Sequence, residues 1–221
     1  METFEGAREK ILTELKSDDG EVRTEFQRHF AAEVSEFADH LTHAFMAWQA
    51  FDNTVQDRED RAVVSALVYS AITLHLLSMK LFLSGLIVAA GTLSRQVVES
   101  IALSLLCSRK DLGVLDRFWH DRYSANDAVT HVARRCTQLA IKLDSVKALQ
   151  NAQHFYHKYS HISKFTIAAG MSFAGGELYV GASFDKAKLD SYVKEMKGRV
   201  SLSSVLSNFV DRVAQNVAQW E

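Results

Sequence analysis

Residues 62–79, AVVSALVYSAITLHLLSM, run for 18 positions without an Asp, Glu, Lys or Arg, and residues 81–94 run for another 14. Such a stretch is long enough to span a bilayer or to form the inner helix of a soluble bundle. Lys80 and Arg95 interrupt it, Ser, Thr and His75 are scattered through it, and no aromatic belt flanks it. These features favour a buried pair of helices, about 60–83 and 86–108, parted at Ser84-Gly85 and apolar nearly all round. The expected fold is therefore a helical bundle with this pair at its centre, and no membrane is expected as a partner.

The remainder of the chain agrees. None of the 221 residues is proline, where average usage would give about eleven. Proline breaks helix interiors, so its absence leaves the chain free to be helical throughout. Phe26, Phe30, Val34, Phe37, Leu41, Phe45 and Trp48 repeat at spacings of four and three, a sustained apolar seam of helical period. Ser124 and Asp127 suggest a helix to about 143, and Ser145 a further helix to about 166. Asp185 suggests a helix stopping at Gly198, followed by one carrying Leu202, Leu206, Phe209, Val213, Val217 and Trp220. The exception is TIAAGMSFAGGELYVGASF, where Gly175-Gly176 between β-compatible runs predicts a hairpin over 167–184. The reading is one all-α domain, 1–221: a core bundle over 60–166, that hairpin, and C-terminal helices over 185–221.

Composition excludes several classes. The net charge of −2 supplies no general attraction to nucleic acid or to an anionic membrane. Cys107 and Cys136 are too few for a disulfide framework or a thiolate zinc site and read as small buried hydrophobes. METFEGAREKILTELK is charged and amphipathic with no apolar central region, unlike a signal peptide, so a cytoplasmic location is expected. No phosphate-cradling glycine loop, nucleophile elbow or dinucleotide fingerprint is present, and no cofactor is expected.

Three places could carry chemistry. In HFYHKYSHISKF (154–165), an unbroken helix would bring His154, His157 and His161 within about 60° of arc, with Lys164 beside them. Lys158, Lys164, the imidazoles and Tyr159 suit an anionic substrate with histidine as general acid or base. No Asp or Glu occurs between Ser145 and Gly176, so a metal there would need ligands from elsewhere. The plain alternative is a polar helix face.

On the long helix, His29, Glu33, Glu36, His40 and His43 fall within about 80° of arc. If the helices were neighbours, His40 and His43 could join His154 and His157 in a four-histidine metal site. A solvated edge of Glu-His contacts is the alternative. Finally, Arg95 and Glu99 stand four apart on a nearly apolar helix, where a charge without a partner is very costly. They are either a structural pair or the floor of an anion pocket. RTEFQRH (23–29) fits a loose Arg-x(4–6)-His pattern, and DRFWHDRY (116–123) mixes Arg with aromatic rings in a way that suits helix packing or base stacking.

The apolar helix, the Ser84-Gly85 break, AAGTLSRQVVESIALSLL and the later YHKYSHISKF together resemble uncharacterised bacterial all-α families with an Arg-x-x-x-Glu helix. These are similar in architecture to HEPN-like bundles, many of which are RNA-cleaving toxins or defence components. The resemblance covers about residues 60–166 and implies Arg95, Glu99, Tyr159 and His161 as the matching positions. Metal-independent HEPN ribonucleases carry Arg-x(4–6)-His on a late helix, whereas here Lys158 is the base nearest before His161. The expectation is a pocket in which Arg95 holds a phosphate-bearing ligand (RNA or a nucleotide), Glu99 orients it and His161 moves a proton. His157, Lys158 and Lys164 would assist binding. The competing expectation is a non-catalytic homo-oligomeric interaction module, most simply a homodimer.

Overall fold

A computed structural model describes residues 3–172 and 181–220. Its helices are α1 (Phe4–Lys16), α2 (Gly20–Asp52), α3 (Glu59–Leu83), α4 (Ile87–Cys107), α5 (Val114–Trp119), α6 (Ala128–Arg134), α7 (Leu143–His157), α8 (Lys164–Ala169) and α9 (Leu189–Ala218). Of the seam read along 26–48, Phe26, Phe30, Phe37 and Leu41 are buried where α2 meets α9 and α3, Val34 and Trp48 are half-buried and Phe45 is exposed, and the helix is kinked at Phe30 (φ −128°, ψ 25°). α4 is the central element. It packs on α3, α6, α7 and α9, and every residue from Ile101 to Cys107 is buried. Burial pushes the Cys107 thiol up to about 12, so it is an inert core residue. The far end of α9 closes on this helix: Asn216 Nδ2 donates to Ser108 Oγ (2.9 Å) and Trp220 Nε1 donates to the Ser108 carbonyl (2.8 Å).

Five expectations require correction. The hairpin is the first: among the described residues there is no strand. Ser163 and Thr166 form a reciprocal capping box, Ser163 N to Thr166 Oγ1 at 2.8 Å and Thr166 N to Ser163 Oγ at 3.2 Å, which starts α8 and takes Thr166 to Ala169 into a helix. Gly175-Gly176 lie outside the described residues. Secondly, the helix expected to reach 166 ends at His157, and a turn over 158–162 separates it from α8. Thirdly, α9 runs unbroken through Gly198. A Cβ at that position would come within 3.1 Å of the Tyr156 hydroxyl, so this glycine serves close packing between helices and not a helix stop. Similarly, the helix expected over 124–143 is only α6, followed by turns through Ala140, which has φ +52°.

The fifth correction concerns the central pair. α4 is enclosed but α3 is not: Tyr69, Leu76 and Leu77 remain 43%, 53% and 46% exposed. α3 is the one helix among the described residues long and apolar enough to cross a membrane, and 44% of its most apolar 18-residue window is buried. The reason is positional. Among the described residues α2, α4 and α9 pack on α3 and leave the stripe carrying Tyr69, Leu76 and Leu77 open.

Candidate functional site

The turn after α7 organises the candidate site, because neighbouring residues point in opposite directions. Tyr159 and Lys158 face inward. The Tyr159 hydroxyl donates to Glu195 Oε1 on α9, and Lys158 Nζ lies 3.8 Å from the same oxygen. The Tyr159 ring lies flat on α4 at Gly91, where any Cβ would collide with it, and Thr92 Oγ1 donates to the Tyr159 carbonyl (3.2 Å). His157 and Ser160 face the other way, toward Arg95, and His161 meets the His157 ring.

Arg95 is the hub of that outer face. Its Nε donates to Glu99 Oε1 (2.8 Å), one turn along α4, and the two side chains keep only 14% and 16% of their surface exposed. Nη1 donates to Ser160 Oγ and approaches His157 Nδ1 at 3.3 Å, and Nη2 donates to Asn126 Oδ1. The His157 contact requires the neutral ring with its proton on Nε2, since the guanidinium can only donate. Among the described residues four of the five guanidinium N–H groups thus have acceptors, which leaves one on Nη2. The His157 and His161 rings meet edge to face with centroids 4.9 Å apart, and both residues are exposed. A fixed, largely shielded cation is thereby placed beside the His157 ring, which in turn meets that of His161.

Of the expected residues, Arg95, Glu99, His157 and His161 are thus brought together. Tyr159 is turned away: burial first, and then the Glu195 carboxylate, push its phenol well above the usual range, which leaves it a fixed hydrogen-bond donor. Lys158 spans the underside, its ammonium 3.9 Å from the Phe155 ring centroid and 4.1 Å from that of Phe165, and burial draws its pKa down. Lys164 is exposed on α8. His154 is exposed on α7, while His40 Nε2 lies 3.5 Å from Glu36 Oε1 on α2, a helix that packs on α3 and α9. Among the described residues no group of three His, Cys, Asp or Glu side chains could hold a metal ion, so the four-histidine arrangement does not assemble. Arg23 donates to Ser84 Oγ (2.8 Å) and the His29 ring stacks on Phe184, which separates the two members of the Arg-x(4–6)-His pattern. In the 116–123 segment Arg122 pairs with Asp116, and Trp119 remains 59% exposed.

A buried polar group behind the turn is absent from the sequence reading. Arg199 is fully buried, with Nη1 on Glu195 Oε2 (2.8 Å), Nε toward Ser78 Oγ (3.3 Å) and its guanidinium 4.7 Å from the Phe82 ring centroid. His75, also fully buried, donates from Nε2 to the Arg199 carbonyl (3.1 Å). Burial, and then the Arg199 charge, push His75 down to about 3, so it is neutral at ordinary pH. A sequence signal for this group exists. Stepping back along α9 from Leu206 by threes and fours lands on Ser203, Arg199, Glu195 and Tyr192, all buried. Placing a helix end at Gly198 hides that register. Asn126 and Ser160 give no such signal, since each joins the site only through the turns that carry it.

Comparison with protein-family models, with curated proteins and with solved structures returns no match.

Proposed function

We propose that the Arg95 cluster binds a phosphate-bearing ligand, RNA or a nucleotide, in the manner of HEPN-like bundles, with His161 transferring a proton. The observation that carries this reading is the pairing of the exposed His157 and His161 rings beside a guanidinium already immobilised by Glu99, Asn126 and Ser160. A phosphate oxygen would take the remaining Nη2 N–H and the Nε2–H of His157. Arg95 holds the anion, Glu99 fixes the guanidinium plane, and His161 is accessible to a reacting hydroxyl. The guanidinium loses rotational freedom before a ligand arrives, which lowers the entropic cost of binding.

A second reading, structural glue in a non-catalytic module, draws on the same acceptors: they tie α4 to α7 and to the 125–127 turn. The two are separated by binding of a labelled single-stranded RNA and of adenosine triphosphate to the wild type, Arg95→Ala and His161→Gln. Under the site reading, Arg95→Ala weakens binding at least about tenfold, and His161→Gln binds but does not turn over, with both variants folded. Failure of the wild type to bind either probe, together with a large drop in the melting temperature of Arg95→Ala, would sink it in favour of the glue reading.

A further inference from the structure

Resting on the phosphate reading of the Arg95 site, we infer that Asn126 is a ligand-binding residue there, its Nδ2 donating to the phosphate that Arg95 holds. Arg95 Nη2 lies 2.5 Å from Asn126 Oδ1. A guanidinium only donates, so the amide must turn its oxygen to Arg95 and its NH2 group away from it. Asn126 is exposed, and among the described residues no acceptor meets that NH2 group.

An exposed asparagine ordinarily rotates freely, but this one is held in backbone and side chain. Gln153 Nε2 on α7 donates to the Asn126 carbonyl (3.3 Å). Asp127 N donates to the Ser124 carbonyl (3.2 Å) and closes the turn, while Arg95 fixes the amide. Two N–H groups are therefore presented in a set direction before a ligand arrives, which lowers the ordering cost of binding. Their reach suits the anion as well. Oδ1 and Nδ2 share one carbon, so Nδ2 stands no more than about 5 Å from Nη2, and a phosphate accepting at about 2.9 Å from each spans that gap.

The choice of amide over acid points the same way. Asn126 and Ser160 hold the guanidinium through neutral oxygens, and among the described residues Glu99 is the one carboxylate that touches it. An aspartate at position 126 would grip Arg95 more tightly, because a charge-assisted bond is roughly twice as strong as a neutral one. It would also turn a carboxylate oxygen toward the incoming anion. The amide gives a weaker grip on Arg95 and keeps a donor where the anion sits.

Asn126→Asp separates the two roles of this side chain, since it retains an oxygen for Arg95 and removes both N–H groups. Titration with adenosine triphosphate and with the labelled single-stranded RNA, at low and at high salt and beside thermal melts, compares it with the wild type. The variant should melt at or above the wild-type temperature. It should bind at least about tenfold more weakly than the wild type at both salt concentrations. Through-space repulsion by the new charge fades with salt, whereas a missing donor does not. Binding as tight as that of the wild type, or a loss that vanishes at high salt, overturns the inference and leaves the phosphate reading standing. A lowered melting temperature overturns it too, because Asn126 would then be holding the turn through its N–H groups. A wild type that binds neither probe removes the phosphate reading, and with it the ligand for Asn126.

Discussion

Glu195 on α9 and Arg95 on α4 hold opposite sides of one turn. Glu195 takes Lys158 and Tyr159 from within the core, while Arg95 takes Ser160 and His157 from the surface. The positions of His157 and His161 therefore depend on a carboxylate that holds the two residues following His157, and the buried pair behind the turn is part of what the site is built on.

Removing the charge of Glu195 should propagate through that arrangement. Glu195→Gln leaves Arg199, fully buried, without its counter-ion, at a cost of about 3–5 kcal/mol. Adding Arg199→Met removes the stranded charge and should restore part of the loss. Urea unfolding of the wild type, the single and the double variant measures both, and the ring resonances of His157 and His161 should move in the single variant. A Glu195→Gln protein as stable as the wild type would show that the pair contributes nothing to folding.

Gly91 lets Tyr159 lie on α4 and reach Glu195. Gly91→Ala places a methyl group inside the Tyr159 ring, although alanine is otherwise the better helix residue. Overpacking should win, destabilising the protein by about 1–3 kcal/mol. Should the midpoint of chemical unfolding rise instead, the close contact between Tyr159 and α4 is not maintained in solution.

His75 makes stability depend on pH. Its folded pKa, about 3, is depressed below its ordinary value of 6.5, so the unfolded chain binds the proton more readily. The associated stability is complete above pH 6.5 and falls as the pH is lowered toward 3. Between pH 6.5 and 5 the loss should approach about 2 kcal/mol. His75→Gln keeps an N–H for the Arg199 carbonyl and cannot titrate, so its stability should fall less steeply over that interval. Parallel pH profiles for the two proteins would assign acid sensitivity to other groups.

Helix content, the seam along α2, the joint at Ser84-Gly85 and the proximity of Arg95 to Glu99 were all legible in the chain itself. Each is local: it depends on side-chain period, on missing prolines or on a four-residue spacing. The end of α7 was not legible, because HFYHKYSHISKF is compatible with continued helix. Helix stops there as Lys158 and Tyr159 turn toward a carboxylate 36 residues away from Tyr159. Glu195 and Arg199, four apart in the favourable order, have the pattern of an ordinary surface pair. Packing beneath α3 and α7 makes them core residues. Conversely, a charge-free stretch of α3 reads as buried on all sides, yet burial requires a neighbour on each side, and among the described residues Tyr69, Leu76 and Leu77 stay exposed. Period and composition determine which face of a helix is apolar. What covers that face, and which polar groups are carried inside with it, is decided by contacts between residues far apart in the chain.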